Sequence, residues 1–271
     1  MIPARARANL LTALAGFALC AIPLAAQAVP NRATAYLTVT DVTDARALWV
    51  NPAGLAARHE ASVHLDLTVR QPGGRGQLGQ IATGFNARGL SFGYQRDNFS
   101  GGLRGHTYRL GVAGAYNRLA AGMAIAAYRG GTKGTAWDVG ARYEWGPQVA
   151  FGAVVRNIGR PTVRGVREDV TFVPATTIRV IGDLLAVSVQ AALGPAWTRG
   201  YTLEARAQLP GRAGFGLMAR IDTDRSWRRR ALVFGFSAGR ADRVGLVAST
   251  PGDFSQVDAA SVYGVSSRIP R

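Results

Sequence analysis

From Ser62 to Arg70 the chain alternates without a break, Val63, Leu65, Leu67 and Val69 taking turns with Ser62, His64, Asp66, Thr68 and Arg70. A period of two puts the first set on one face of a strand and the second on the other. Trp137, Val139, Ala141, Tyr143 and Trp145 alternate in the same way with Asp138, Gly140, Arg142 and Glu144, and Tyr201 to Leu209 repeats the rule. Looser alternation predicts further strands over 77–86, 89–98, 106–117, 119–129, 149–158, 175–183, 185–194, 213–222, 230–239, 242–250 and 260–269. That makes roughly fourteen, within the range of outer-membrane barrels. Asn117-Arg118, Gly146-Pro147, Pro210-Gly211 and Gly239-Arg240 read as tight hairpin turns. No amphipathic helical run follows residue 28, so the chain is all-β.

These strands fit a transmembrane antiparallel β-barrel better than a soluble sandwich. About nine to eleven tilted residues cross the hydrocarbon, and closure leaves no unpaired backbone edge in lipid. Several aromatics mark strand ends, as interfacial girdles do, whereas a sandwich would gather them at its centre. Ahead of the strands, Arg5 and Arg7 precede an apolar run from Leu10 to Leu24, and Ala26-Gln27-Ala28 offers small residues at a cleavage site. That is the pattern of a secretory signal peptide. The expected organisation is a signal peptide over 1–28, an N-terminal plug segment over 29–60 and a barrel over 61–271, placed in the outer membrane.

Composition narrows the function. The only cysteine, Cys20, lies in the apolar run, with Leu19 before it where a lipoprotein signal calls for a small residue. The expected mature chain therefore has neither a disulfide nor a thiolate site. Without Arg5 and Arg7 the formal charge falls from +16 to +14. The arginines are scattered over strands and turns with no basic helix, which points away from nucleic acid and toward acidic lipid headgroups or anionic solutes. His59, His64 and His106 have no metal-pair spacing. His64 and Asp66 share a polar face, but that face is expected to look into the lumen and not toward lipid, which argues against a barrel hydrolase. No nucleophile elbow or phosphate loop is present. We expect no enzyme, no cofactor and no metal.

The run Asp44-Ala45-Arg46-Ala47-Leu48-Trp49-Val50-Asn51-Pro52-Ala53-Gly54-Leu55, just behind the signal, resembles the N-terminal signature of the FadL and PorV group of outer-membrane proteins. Gly89-Leu90-Ser91-Phe92-Gly93-Tyr94, Val155-Arg156-Asn157-Ile158-Gly159 and Pro174 ahead of the strand at Ile178 add to the resemblance. It implies a fourteen-stranded barrel with an N-terminal luminal plug. It also implies passage or binding of a small hydrophobic molecule, or, as the alternative, a PorV-like scaffold or shuttle that docks exported proteins. Two features depart from that group. The chain has little room for large extracellular loops, and Ser267-Arg268-Ile269-Pro270-Arg271 lacks the terminal aromatic read by the barrel-assembly machinery.

The local physics of the motif gives a fixed bend. Pro52 cannot donate a backbone hydrogen bond and drives Asn51 toward an extended conformation, while Gly54 permits a turn with positive φ. Asn51, Pro52, Ala53 and Gly54 are thus read as a structural motif seating residues 29–60 in the barrel, with direct ligand contact as the alternative. Alternation turns Arg70, Arg109, Arg142, Arg156, Arg206 and Arg220 inward or places them at a rim, together with Asp66, Asp138, Glu144, Arg179, Glu204 and Asp222. Facing lipid, an arginine near the midplane would cost about 2–4 kcal/mol. Inside, these charges form a salt-bridge network holding the plug, or else an anion-favouring passage or carboxylate pocket. Arg228-Arg229-Arg230 beside Trp227 is expected at a rim, against anionic headgroups.

Overall fold

The computed structural model describes residues 34, 36–58, 60–163, 166–251 and 256–268. The expected signal peptide, Cys20, His59 and the last three residues lie outside them. Fourteen long antiparallel strands close into a barrel. They are β1 (Ala61–Arg70), β2 (Gln77–Ala87), β3 (Leu90–Asn98), β4 (Arg104–Tyr116), β5 (Leu119–Gly130), β6 (Thr132–Trp145), β7 (Val149–Ile158), β10 (Thr171–Asp183), β11 (Leu185–Leu193), β12 (Thr198–Gln208), β13 (Gly216–Asp224), β14 (Arg229–Gly239), β15 (Asp242–Pro251) and β16 (Ala259–Arg268). A two-residue hairpin, β8 (Thr162–Val163) and β9 (Val166–Arg167), lies against the start of β6. Each long strand pairs with its neighbour in sequence, β7 with β10, and β1 pairs with β16 from Ala61–Arg268 to Arg70–Ala259, which closes the cylinder.

The faces are inverted relative to a soluble protein. Val63, Leu65, Phe92, Leu110, Leu203 and Phe234 are exposed, while His64, Asp66, Gln80, Asp97, Asp138 and Glu204 are buried. Burying charge while exposing large apolar side chains is unfavourable in water and favourable when the outer surface meets hydrocarbon and the inner one is packed. The alternating strands thus turn their apolar face outward. No helix among the described residues is long and apolar enough to cross a membrane.

Four local readings change, among them the Gly239-Arg240 turn, which falls one residue later. β6 begins at Thr132, so Trp137 lies within that strand and not at its end, while Trp145 does end it. Pro210-Gly211 is part of a longer loop over 209–215, closed by a 2.7 Å bond from the Leu209 amide to the Phe215 carbonyl, because Pro210 has no amide with which to continue the ladder. Asn117-Arg118 and Arg240-Ala241 are tight turns, with positive φ at Asn117 (54°) and Gly239 (106°). Pro174 lies inside β10, where the ladder with β11 skips from Phe172–Leu193 to Ala175–Gln190.

Candidate functional site in the barrel lumen

The described part of the segment ahead of β1 is folded inside the cylinder. It contains a short helix, α1 (Ala47–Val50), and a 3-10 turn over Pro52–Ala56, both fully buried. Asn51 joins them in an extended conformation (φ −152°, ψ 106°), and its side-chain oxygen accepts from the Ala53 amide at 3.2 Å. Capping by Asn with Pro at the next position satisfies a helix start that the chain would otherwise leave open. The Asn51 amide group donates to the carbonyls of Val39 (3.0 Å) and Ala141 (3.2 Å), tying the bend to β6. Gly54 does not have the positive φ that the motif led us to expect. Glycine is required there because a Cβ would lie 2.1 Å from the Val42 carbonyl oxygen.

The wall receives this segment along a row of inward glycines, including Gly93 on β3, Gly111 on β4, Gly122 on β5, Gly140 on β6 and Gly152 on β7. A Cβ at Gly93 would meet Leu48 and Trp49 at 2.8 Å, at Gly111 Leu48 at 2.5 Å, at Gly122 the Pro52 backbone at 2.6 Å, and at Gly140 Asn51 Oδ1 at 1.9 Å. Gly122 and Gly140 are directly opposite in the β5–β6 pairing. The missing side chains form the groove that α1 and the 3-10 turn occupy.

Wall arginines complete the attachment. Arg109 donates to the Leu48 carbonyl (3.1 Å) and Arg156 to that of Val50 (2.6 Å), supplying partners and positive charge at the C-terminal end of α1. Arg142 donates to the Thr40 carbonyl at 2.6 Å and pairs with Glu144, which Arg179 reaches at 3.2 Å. Arg109 is neutralised by Asp138 (2.6 Å), and Arg206 lies between Glu204 (2.5 Å) and Asp41 (3.4 Å). Arg70 and Arg220 contact wall groups, Arg70 the Asn98 carbonyl (2.7 Å) and Arg220 Asp222 (2.8 Å). Of the six arginines turned inward by alternation, at least four, Arg109, Arg142, Arg156 and Arg206, reach the internal segment.

The internal segment contributes its own buried pair, to which the sequence reading assigned no role. Arg46 binds Asp44 in a fork, Nε to Oδ1 at 3.0 Å and an amino group to Oδ2 at 2.7 Å, and donates to the Tyr36 hydroxyl at 2.8 Å. Its guanidinium lies 4.8 Å from the centre of the Tyr263 ring, which stacks with Tyr36. Burial opposes ionisation of Asp44, but the charge and hydrogen bonds of Arg46 outweigh it and hold the carboxyl down at about 2. Burial pushes the Tyr36 phenol well up, keeping it neutral. Two charges in an otherwise apolar run were the available signal. On the β1 side, Trp49 Nε1 donates to His64 Nε2 (3.2 Å), and His64 Nδ1 meets Asp66 at 2.5 Å. With Nε2 accepting, Nδ1 carries the proton shared with Asp66.

Opposite the glycine row the inner wall carries an apolar patch among polar groups such as Arg220 and Ser261. Val233 on β14, Val247 on β15, and Tyr263 and Val265 on β16 form one cluster with Tyr36 and Leu37, with Met218 of β13 packed against it. Polar contacts hold the internal segment around much of the wall, from Arg109, Arg142 and Arg156 to Arg206 on β12, and the apolar patch packs against its Tyr36 and Leu37. No group of His, Cys, Asp and Glu among the described residues could hold a metal ion.

The fold, a closed fourteen-stranded antiparallel β-barrel, is shared with solved transporter and channel structures. The toluene transporter TbuX of Ralstonia pickettii is similar over 82% of this chain and 92% of its own, with a TM-score of 0.51 and 13% identity. A deltaS2S3 mutant of the TodX monoaromatic hydrocarbon channel is similar over 82% of this chain and 93% of its own, at a TM-score of 0.50 and 10% identity. At such identities the likeness is one of fold. No protein-family model and no curated protein matches the chain.

Proposed function

We propose that the protein is a non-enzymatic outer-membrane channel that passes or binds a small hydrophobic molecule, with residues 29–60 as its internal plug. The apolar contact between the internal segment and Met218, Val233, Val247 and Val265 of the inner wall carries this reading, because a path opened there on movement of the segment would be lined by apolar side chains. A barrel that only conducts water-soluble ions has a polar interior, and a valine-lined wall offers such solutes no hydrogen bonds. An apolar solute gains about 25 cal/mol for each Å² it buries there. Two of the fold neighbours are a toluene transporter and a monoaromatic hydrocarbon channel, which is in keeping with that substrate class. The PorV-like docking reading draws no support from the loops, which are short among the described residues.

The test is flux of toluene into vesicles whose outer leaflet is lipopolysaccharide, a poor solvent for apolar solutes. The intact protein should raise the flux, and Val233→Gln with Val247→Gln should lower it several-fold without altering the folded barrel's migration in a gel. A flux equal to that of protein-free vesicles refutes the proposal.

A further inference from the structure

We propose that the outer rim over β12–β14 is a binding site for a phosphorylated glycolipid of the outer leaflet, with the phosphomonoester as the recognised group. The inference rests on the outer-membrane reading but not on what the lumen carries. β1 starts and β16 finishes at one end of the barrel, and the other end has the longer connections, including 71–76, 99–103 and 159–170. In outer-membrane barrels the longer loops are extracellular. The β11–β12 connection, with Trp197, and the β13–β14 turn, with Arg225 to Arg228, are therefore at the outer-leaflet level.

The register places the patch on the outside of the cylinder. Tyr201 pairs with Thr223, and Thr223 pairs with Arg229 through a bulge that shifts the register after Asp222–Ala231. The next row toward the membrane is Leu203–Ile221–Leu232, whose first two members are exposed apolar side chains on the lipid face. A row of cationic and aromatic groups thus sits directly above the hydrocarbon-facing row, at headgroup depth.

The aromatic frame is fixed. Trp227, in a left-handed conformation (φ 61°), stacks on Tyr201 with ring centres 4.2 Å apart and planes 7° from parallel. Trp197 lies under the Arg225 guanidinium at 5.9 Å. Both tryptophans are about two-thirds exposed, at 66% and 64%. Four arginines, Arg225, Arg228, Arg229 and Arg230, are exposed around them.

The nearby acids are already occupied. Asp224 accepts the amides of Ser226 and Arg228 at 2.8 and 2.9 Å, Asp169 pairs with Arg199 at 2.8 Å, and Asp222 turns inward to Arg220. Among the described residues the side chains of Arg228 and Arg230 make no ion pair. Guanidinium forks match a phosphate's oxygens, a phosphomonoester carries more charge than a phosphodiester, and the exposed indole planes suit the apolar faces of a sugar.

Native mass spectrometry of the purified full-length barrel in detergent, titrated with diphosphoryl lipid A, tests this directly. Dephosphorylated lipid A and phosphatidylglycerol are the comparison probes. Diphosphoryl lipid A should bind at least about tenfold more tightly than either, and Arg228→Gln with Arg230→Gln should remove that preference. Trp227→Ala should weaken binding of both lipid A forms. Equal binding of the phosphorylated and dephosphorylated forms, equal binding of phosphatidylglycerol, or an unaltered double variant overturns the proposal. Heat-modifiable gel migration verifies that each variant is folded. Cell fractionation tests the outer-membrane reading separately, so the failure of one is distinguishable from the failure of the other.

Discussion

Gly140→Ala adds a single methyl group to β6 and should release the internal segment while leaving the barrel closed. The new Cβ would lie 1.9 Å from Asn51 Oδ1 and 3.0 Å from its Cγ, so Asn51 must move. That side chain is completely buried and makes the cap to Ala53 and the bonds to Val39 and Ala141. A lost cap costs about 1 kcal/mol and each lost hydrogen bond about as much, giving about 2–3 kcal/mol against the seated state. The β6 ladders to β5 and β7 use backbone groups that the methyl does not touch. Trypsin cleavage after Arg46, which is 2% exposed when the segment is seated, reports the opening equilibrium. A shift of about 2 kcal/mol should speed that cleavage about 30-fold. Gly264→Ala is the control, since nothing lies within 4 Å of its added Cβ. If Gly140→Ala is cleaved no faster than Gly264→Ala, the groove does not hold the segment as described. If its barrel also unfolds at lower temperature by gel shift, the separation of plug from wall is wrong.

Three further perturbations probe other links. Asp44→Asn leaves Arg46 buried without its counter-charge and should destabilise the seated segment by about 3 kcal/mol, seen as faster trypsin cleavage after Arg46; unchanged cleavage would contradict this. Because the Asp44 carboxyl is held down at about 2 in the folded protein and is near 3.9 when free, its contribution is fully present above about pH 4 and lost as pH falls toward 2. Trp49 fluorescence should report a loss of about 2 kcal/mol over that window, absent in Asp44→Asn, and a transition confined to pH above 5 would rule out Asp44 as its source. Leu65→Arg, on the exposed apolar face of β1, should lower barrel stability in lipid by about 2–4 kcal/mol, and a cost near zero would argue that this face does not meet hydrocarbon.

The strands were legible because a closed barrel writes itself as period-two alternation, and β1, β6 and β12 show it with few exceptions. The start of β6 was hidden because Thr132, Lys133, Gly134 and Thr135 contain no apolar residue to alternate. The two-residue hairpin β8–β9 is shorter than any pattern can resolve. Inward facing of the six arginines followed from alternation, but not their partners, since Arg109, Arg142 and Arg156 bind backbone carbonyls, which every residue has. The glycine groove was invisible for a related reason. One glycine in a strand reads as a weak point, and only the pairing register gathers Gly93, Gly111, Gly122 and Gly140 against a segment some forty to ninety positions earlier. The apolar strip of Val233, Val247 and Val265 was equally hidden, because those valines break the polar-inside rule that made the strands readable.

Ion conductance across planar bilayers, measured for the intact protein and for a chain lacking residues 29–58, tests most directly whether the internal segment shuts the barrel to polar solutes. The intact protein is expected to be closed to potassium and chloride, and the shortened chain to show stepwise open conductance. Equal conductance in the two, whether high or absent, would contradict a plugged barrel whose remaining path is an apolar one.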